Sequence, residues 1–112
     1  MVLYVAFGYD YLVMAMLSAT SIREYNHEIS CLLITNQKID RDHLYKFFDV
    51  IHFVDKAHDE NRNYKISSFS FAEKDKCLYL DCDTIVCGSL EPLFKCLNRY
   101  DVIIKLNPHP SV

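Results

Sequence analysis

No apolar run in this sequence approaches the about 20 residues that a membrane-crossing helix requires. The first such run, residues 2–7 (VLYVAF), is short and has no basic region before it. No signal peptide is therefore read here, no membrane span is expected, and the expected location is cytoplasmic. The chain also lacks a basic stripe: its formal net charge is -3 and its pI about 5.9. That balance excludes the electrostatic footprint of a nucleic-acid binder, though not the binding of one small anion. Cysteine pairs at zinc-site spacing are missing too. Cys77, Cys82 and Cys87 recur every five residues, Cys31 and Cys96 stand apart, and the total is odd. This pattern fits free cysteines in a reducing compartment better than a zinc centre or a disulfide framework. Internal repeats and low-complexity tracts are absent as well.

What is present suits one globular domain spanning residues 1–112. The 112 residues, 13.1 kDa, can bury about two-thirds of the surface exposed when unfolded, and 51% of them are hydrophobic against 24% charged. The apolar runs change character in a way that suggests β/α units. Residues 2–7 read as a buried strand ended by Gly8. Asp10 is placed to cap a helix to about Tyr25, with Leu12, Met16, Ala19 and Ile22 on one face. Residues 29–35 (ISCLLIT) form an unbroken apolar run, as a strand covered on both faces does. A short helix is expected over 40–48, a third strand over 50–54, and a helix over 60–72 with Ile66 and Phe69 facing inward. A fourth strand over 77–80 leads into Asp81. Ser89 is placed to cap a short helix through Cys96 with Pro92 in its first turn. A last strand is expected over 102–105. Alternating strands and helices predict an α/β fold with a mostly parallel sheet and flanking helices. Such sheets bind ligands beyond the carboxyl ends of their strands at a switch point. Here that means the ends of the first and fourth strands, near residues 7–11 and 81–83.

Two D-x-D patterns occur, Asp40-Arg41-Asp42 and Asp81-Cys82-Asp83. Ten aspartates in a chain of this length produce roughly one such match by chance, so the pattern alone carries little. The first pair lies at a probable helix start, where the acids serve as a cap and as charge at a helix N-terminus. The second stands where a buried strand must end. Two carboxylates there repel each other unless something positive lies between them, and a divalent cation explains them best. Hard cations take oxygen ligands, and magnesium sites use one or two carboxylates together with substrate phosphates. Two chemistries use such a pair: metal-bridged binding of a nucleotide diphosphate, and a haloacid-dehalogenase-like phosphatase with the first aspartate as nucleophile. The phosphatase family opens its domain with the motif and has Gly-Thr after the second aspartate, where this chain has Thr84-Ile85. It is the weaker alternative.

Residues 65–94 read KISSFSFAEKDKCLYLDCDTIVCGSLEPLF. This segment resembles the core of glycogenin-like glycosyltransferases of the GT-A fold: a Lys-apolar pair, a helix, an aromatic and aliphatic strand, D-x-D-T, then an acidic-apolar turn closing in Leu-Phe. The opening Tyr4-Val5-Ala6-Phe7, Asp10-Tyr11 and the apolar helix ending near Ser21-Ile22-Arg23 fit as well. The resemblance implies a Rossmann-like GT-A nucleotide-diphospho-sugar transferase, here its N-terminal half, since family members continue into a part that holds the acceptor site and a metal-binding histidine. It implies that Asp83 ligates Mn2+ (or Mg2+) and that Asp81 shares the metal and meets the ribose. Tyr11 is implied to lie against uracil, the backbone near Ala6 and Phe7 to meet the base edge, and Lys65 to reach the sugar-diphosphate. Arg62 is a looser candidate for the same anion, because Arg suits phosphate. Without the resemblance, Tyr11 reads as packing at a helix start and Lys65 as a solvated charge. The implied partners are a UDP-sugar and an unknown acceptor. A catalytically incomplete nucleotide-binding or interaction module is the alternative. A second copy of the chain is a further expected partner, docked on an edge near residues 102–105.

Overall fold

Two apolar runs become central strands because each is covered on both faces. The computed structural model describes residues 1–55 and 61–103, with backbone only at 61–63. Within these, β1 (Val2–Ala6) and β2 (Cys31–Thr35) are buried at every position. They pair in parallel from Val2↔Cys31 to Ala6↔Thr35. β3 (Val50–Phe53) flanks β2 from Leu32↔Val50 to Thr35↔Phe53. β4 (Leu78–Tyr79) joins the other side of β1 at Val2↔Leu78 and Leu3↔Tyr79. The order β3-β2-β1-β4 is parallel throughout. The chain moves outward from β1 to β3 and then returns to the far side of β1, which puts the switch point at the carboxyl ends of β1 and β4.

Alternation along the strands sends residues to two cores. On one face Val2, Tyr4, Ala6, Cys31 and Leu33 meet α1 (Tyr9–Tyr25) through Leu12, Ala15, Ala19 and Ile22. Met16, expected on that face, is half-buried against the same cluster. Leu44 of α2 (Arg41–Leu44) and Phe48 close this layer, with the Tyr4 and Phe48 rings edge-on at 5.9 Å. On the other face Leu3, Val5, Phe7, Leu32 and Ile34 pack under Tyr64, Phe71 and Tyr79. Together these layers make a Rossmann-like α/β fold, a parallel sheet with flanking helices.

Several local expectations are corrected. Asp10 is not the cap of α1. Gly8 holds that position with φ 99 and ψ 150, and Asp10 falls in the first turn. Those angles belong to a region almost closed to residues with a Cβ, and they let the chain turn from β1 into the helix one residue before a side chain could cap it. The third helix, α3 (Asn61–Ser67), gives way to a 3-10 turn, Ser68–Phe71. Ser68 Oγ donates to the Lys65 carbonyl and Ser70 Oγ to that of Ser67, both at 2.6 Å. Such back-bonding competes with regular helix geometry. The inward face is that of Tyr64, Ser68 and Phe71, while Ile66 is 84% and Phe69 48% exposed. Residue 60, expected to start this helix, lies outside the described residues. In α4 (Glu91–Cys96) the cap position is Leu90, held by burial, and Ser89 Oγ accepts from the Glu91 amide at 3.2 Å. The last strand is not formed where it is described. Val102 and Ile103 are exposed and do not pair with the sheet. Residues 104 and 105 lie outside the described residues. Of the five cysteines, all free, Cys31 and Cys82 are buried whereas Cys87 and Cys96 are exposed. Among the described residues no helix is long and apolar enough to cross a membrane.

Candidate functional site

The site begins where β4 leaves the sheet. Leu80 still donates to the Leu3 carbonyl at 3.1 Å, and the chain then turns at Cys82 and Asp83. Cys82 points inward: it is 6% exposed and its Sγ donates to the Val5 carbonyl at 3.1 Å. That anchor leaves the residues on either side, Asp81 and Asp83, exposed above the ends of β1 and β4. Burial, and next the negative charges of Asp81 and Asp83, push the Cys82 thiol up to about 12. It is a protonated anchor at neutral pH, not a thiolate ligand or nucleophile.

Lys65 comes from α3 on the second face of the sheet. Its Nζ lies 2.9 Å from Asp81 Oδ1 and 5.8 Å from the centre of the Tyr79 ring. Both charged side chains remain about half exposed. α3 is held over the end of β1 by the edge-on pair of Phe7 and Tyr64, 5.1 Å apart. Phe7 and Ala6 are fully buried, so they offer the ligand side backbone and no side chain. The Gly8 amide donates to Asn36 Oδ1 at 2.9 Å, which ties the end of β1 to the segment after β2. Tyr11 stands in the first turn of α1 at this same end of the sheet, 40% exposed. The structure thus brings Lys65 and Asp81 into direct contact, and sets Asp83, Ala6, Phe7 and Tyr11 around the same strand ends. The side chain of Arg62 lies outside the described residues.

Sequence reasoning missed the groups that shape the acidic turn. Ser18, fully buried in α1, shares a 2.7 Å hydrogen bond with the Tyr4 hydroxyl and one of 3.1 Å with Thr84 Oγ1. Thr84 Oγ1 donates to the Asp81 carbonyl at 2.7 Å. Further along, the Val86 amide donates to Ser21 Oγ at 2.8 Å and the Leu90 amide to Asn26 Oδ1 at 2.8 Å, while Asn26 Nδ2 donates to the Gly88 carbonyl at 3.0 Å. The stretch from Asp81 to Leu90 has almost no regular structure, so these side chains satisfy its backbone. The signal for them is Ser18 and Asn26 falling on the otherwise apolar face of α1.

The donor set fits a particular kind of metal site. Among the described residues no third His, Cys, Asp or Glu completes a cluster able to hold a metal by itself. Two exposed carboxylates do suit a hard divalent ion that completes its shell with water and a diphosphate. Two concavities of about 430 and 480 Å³ lie elsewhere, near Glu28, Ile29 and Phe94 by the amino ends of β1 and β2. They hold none of this chemistry.

Among known proteins, the sequence matches no family model and no curated sequence. Among solved structures it is similar to S. aureus TarS, with a TM-score of 0.57 at 11% identity, over 88% of this chain and 19% of TarS. TarS is a glycosyltransferase. This chain has a glycosyltransferase-like fold. At that identity the likeness concerns the fold alone, and the chain spans about a fifth of the length of TarS.

Proposed function

We propose that this chain binds a UDP-sugar through a divalent ion held by Asp81 and Asp83, as the nucleotide-sugar-binding unit of a glycosyltransferase that passes the sugar to an acceptor. The observation that carries this reading is the pair of exposed carboxylates beside Lys65 at the switch point of a parallel sheet. In a fold of this kind that is where a ligand belongs.

Asp83 is the freer carboxylate and the principal ligand; Asp81 divides its oxygens between the ion and Lys65 or the ribose. Mn2+ or Mg2+ at these oxygens supplies Lewis-acid neutralisation of the departing diphosphate. Lys65 adds a fixed cation aimed at the same anion. The exposed ring of Tyr11 offers a flat face to uracil, and the backbone at Ala6 and Phe7 offers hydrogen-bonding groups to the base edge. Two carboxylates are few for a metal by themselves, so metal and UDP should bind together and each should tighten the other.

Calorimetry with UDP, with and without Mn2+, tests the reading. Binding is expected only with the divalent ion, and Asp83→Ala should abolish it. Equal UDP affinity in excess EDTA would remove the metal bridge. Undiminished binding by Asp83→Ala would remove this residue from it. A second reading is a module that holds the nucleotide without transferring sugar, in keeping with the lack of a third metal-ligating side chain beside Asp81 and Asp83 among the described residues. A transfer assay with simple sugar acceptors separates the two, since only the first predicts a glycosylated product.

A further inference from the structure

Three hydroxyls in series connect the centre of the core to the acidic turn: Tyr4 to Ser18, Ser18 to Thr84, and Thr84 to the Asp81 carbonyl. Each hydroxyl has one proton to give. The final acceptor has none, so Thr84 spends its proton on Asp81. Ser18 must then donate to Thr84, and Tyr4 to Ser18. The direction of the whole series is fixed by its last member.

The behaviour of neighbouring hydroxyls in α1 marks Ser18 out. Thr20 Oγ1 donates to the Met16 carbonyl at 2.8 Å and Ser21 Oγ to the Ser18 carbonyl at 2.6 Å, both within their own helix. Ser18 instead gives its proton to a residue 66 positions away, whereas Ser21 only accepts across the fold, from the Val86 amide. A hydroxyl buried on an apolar helix face is unfavourable unless bonded, and serine is not favoured inside helices. Its placement is accounted for by the turn it holds.

We propose that Ser18 and Thr84 are positioning residues for the acidic pair, fixing the backbone at Asp81 so that both carboxylates face one ion. This rests on the reading of Asp81 and Asp83 as the metal-holding pair. Cys82 holds the turn from below through Val5, and the Ser18–Thr84 bond holds it from the side of α1. With both in place the backbone that carries the Asp81 and Asp83 side chains is held before any ligand arrives, which is how supporting groups raise the affinity of a metal site.

The test is calorimetry of Mn2+-dependent UDP binding by the full chain and its variants. Thr84→Val keeps the side-chain shape and removes the hydroxyl; affinity should fall on the order of tenfold. Thr84→Ser restores the hydroxyl and should restore the wild-type value. Ser18→Ala loses the bond to Thr84 together with the one from Tyr4, and through the first it should weaken binding roughly fivefold. Tyr4→Phe should stay at the wild-type value, because Ser18 keeps its proton for Thr84. As a control for general loss of stability, Asp49→Asn removes a charge far from the turn; it should lower the melting temperature without changing affinity. Wild-type affinity in both Thr84→Val and Ser18→Ala overturns the assignment, as does Thr84→Ser falling as far as Thr84→Val. If Thr84→Val does not fold, Ser18→Ala decides alone. Should wild-type protein itself show no metal-dependent UDP binding, the reading of the acidic pair fails and the positioning role with it; binding by wild type with unaffected variants overturns the positioning role only.

Discussion

Lys65, from the helix covering one face of the sheet, and Asp81, from the end of one of its strands, meet at 2.9 Å, so one oxygen of the proposed metal pair already has a cation beside it. With both side chains about half exposed, this pair contributes little to folding, under about 1 kcal/mol. Its value lies in where it holds the ammonium group. Lys65→Ala is expected to shift unfolding free energy by less than about 1 kcal/mol, yet to weaken metal-dependent UDP binding by roughly tenfold, because a hydrogen bond to a charged group is lost. Urea denaturation and calorimetry on the same preparation give both numbers. Unchanged UDP affinity would return Lys65 to the status of a solvated helix charge.

The first aspartate pair should be dispensable. Asp40 caps α2, its carboxylate accepting from the Asp42 amide at 3.0 Å, and Asp42 sits in the first turn. That is a complete structural role. Asparagine caps about as well as aspartate, so replacing both with Asn removes only favourable charge at the helix start, about 0.3–1 kcal/mol. UDP binding with Mn2+ should be unchanged. A loss as large as that of Asp83→Ala in a folded double variant would mean that the wrong pair had been assigned to the metal.

How far the sequence could be read follows from the range of each signal. β1 and β2 were legible because burial on both faces leaves an unbroken apolar run, and the strand ends to search followed from the alternation of strands and helices. Asp40 was legible as a cap because capping spans two residues. Ile66 and Phe69 were misplaced because the segment has a second face at helical spacing, Tyr64, Ser68 and Phe71, and that is the one that packs on the sheet. Residues 102–103 are apolar, as a strand would be, but apolar character alone does not say that a segment pairs with the sheet. Asp81 and Asp83 stood out by composition and context. Ser18, Ser21 and Asn26 did not, since their partners lie 62 to 66 residues away and a small polar residue on or just past an apolar helix face is a mark that names no partner.

Gly8 is where a backbone requirement can be tested. With φ 99 and ψ 150 it occupies a region used almost only by glycine. Gly8→Ala should destabilise the fold by about 1–3 kcal/mol. It should also disturb the strand end at Ala6 and Phe7, weakening UDP binding in the protein that still folds. Denaturation of the variant checks the first point. Stability equal to wild type would mean that the turn relaxes into another conformation without loss.

Asp49 gives a pH dependence whose sign can be worked out. Its Oδ2 accepts from Arg23 at 2.7 Å and from the Cys31 amide at 2.8 Å, just before β3 and at the start of β2. Partial burial would raise its pKa, but the bonds from Cys31 and Arg23 outweigh that, and the carboxyl lies below its usual value of 3.8. A carboxyl whose pKa is lower folded than unfolded binds fewer protons in the native state. Its stabilising effect is therefore fully present above the unfolded pKa, about 3.9, and disappears as pH falls through the lower folded value. The Asp49→Asn variant keeps the shape and cannot ionise. Across a urea denaturation series at stepped pH, wild type should exceed this variant by a constant amount from neutrality to about pH 5, and the gap should then close progressively below about pH 4. Because the side chain is about half exposed, the ion-pair part of that gap should stay under about 1 kcal/mol and shrink in high salt. A gap that persists undiminished in acid would show that shape and hydrogen bonding, rather than the ionised carboxylate, join β2 to β3 at this point.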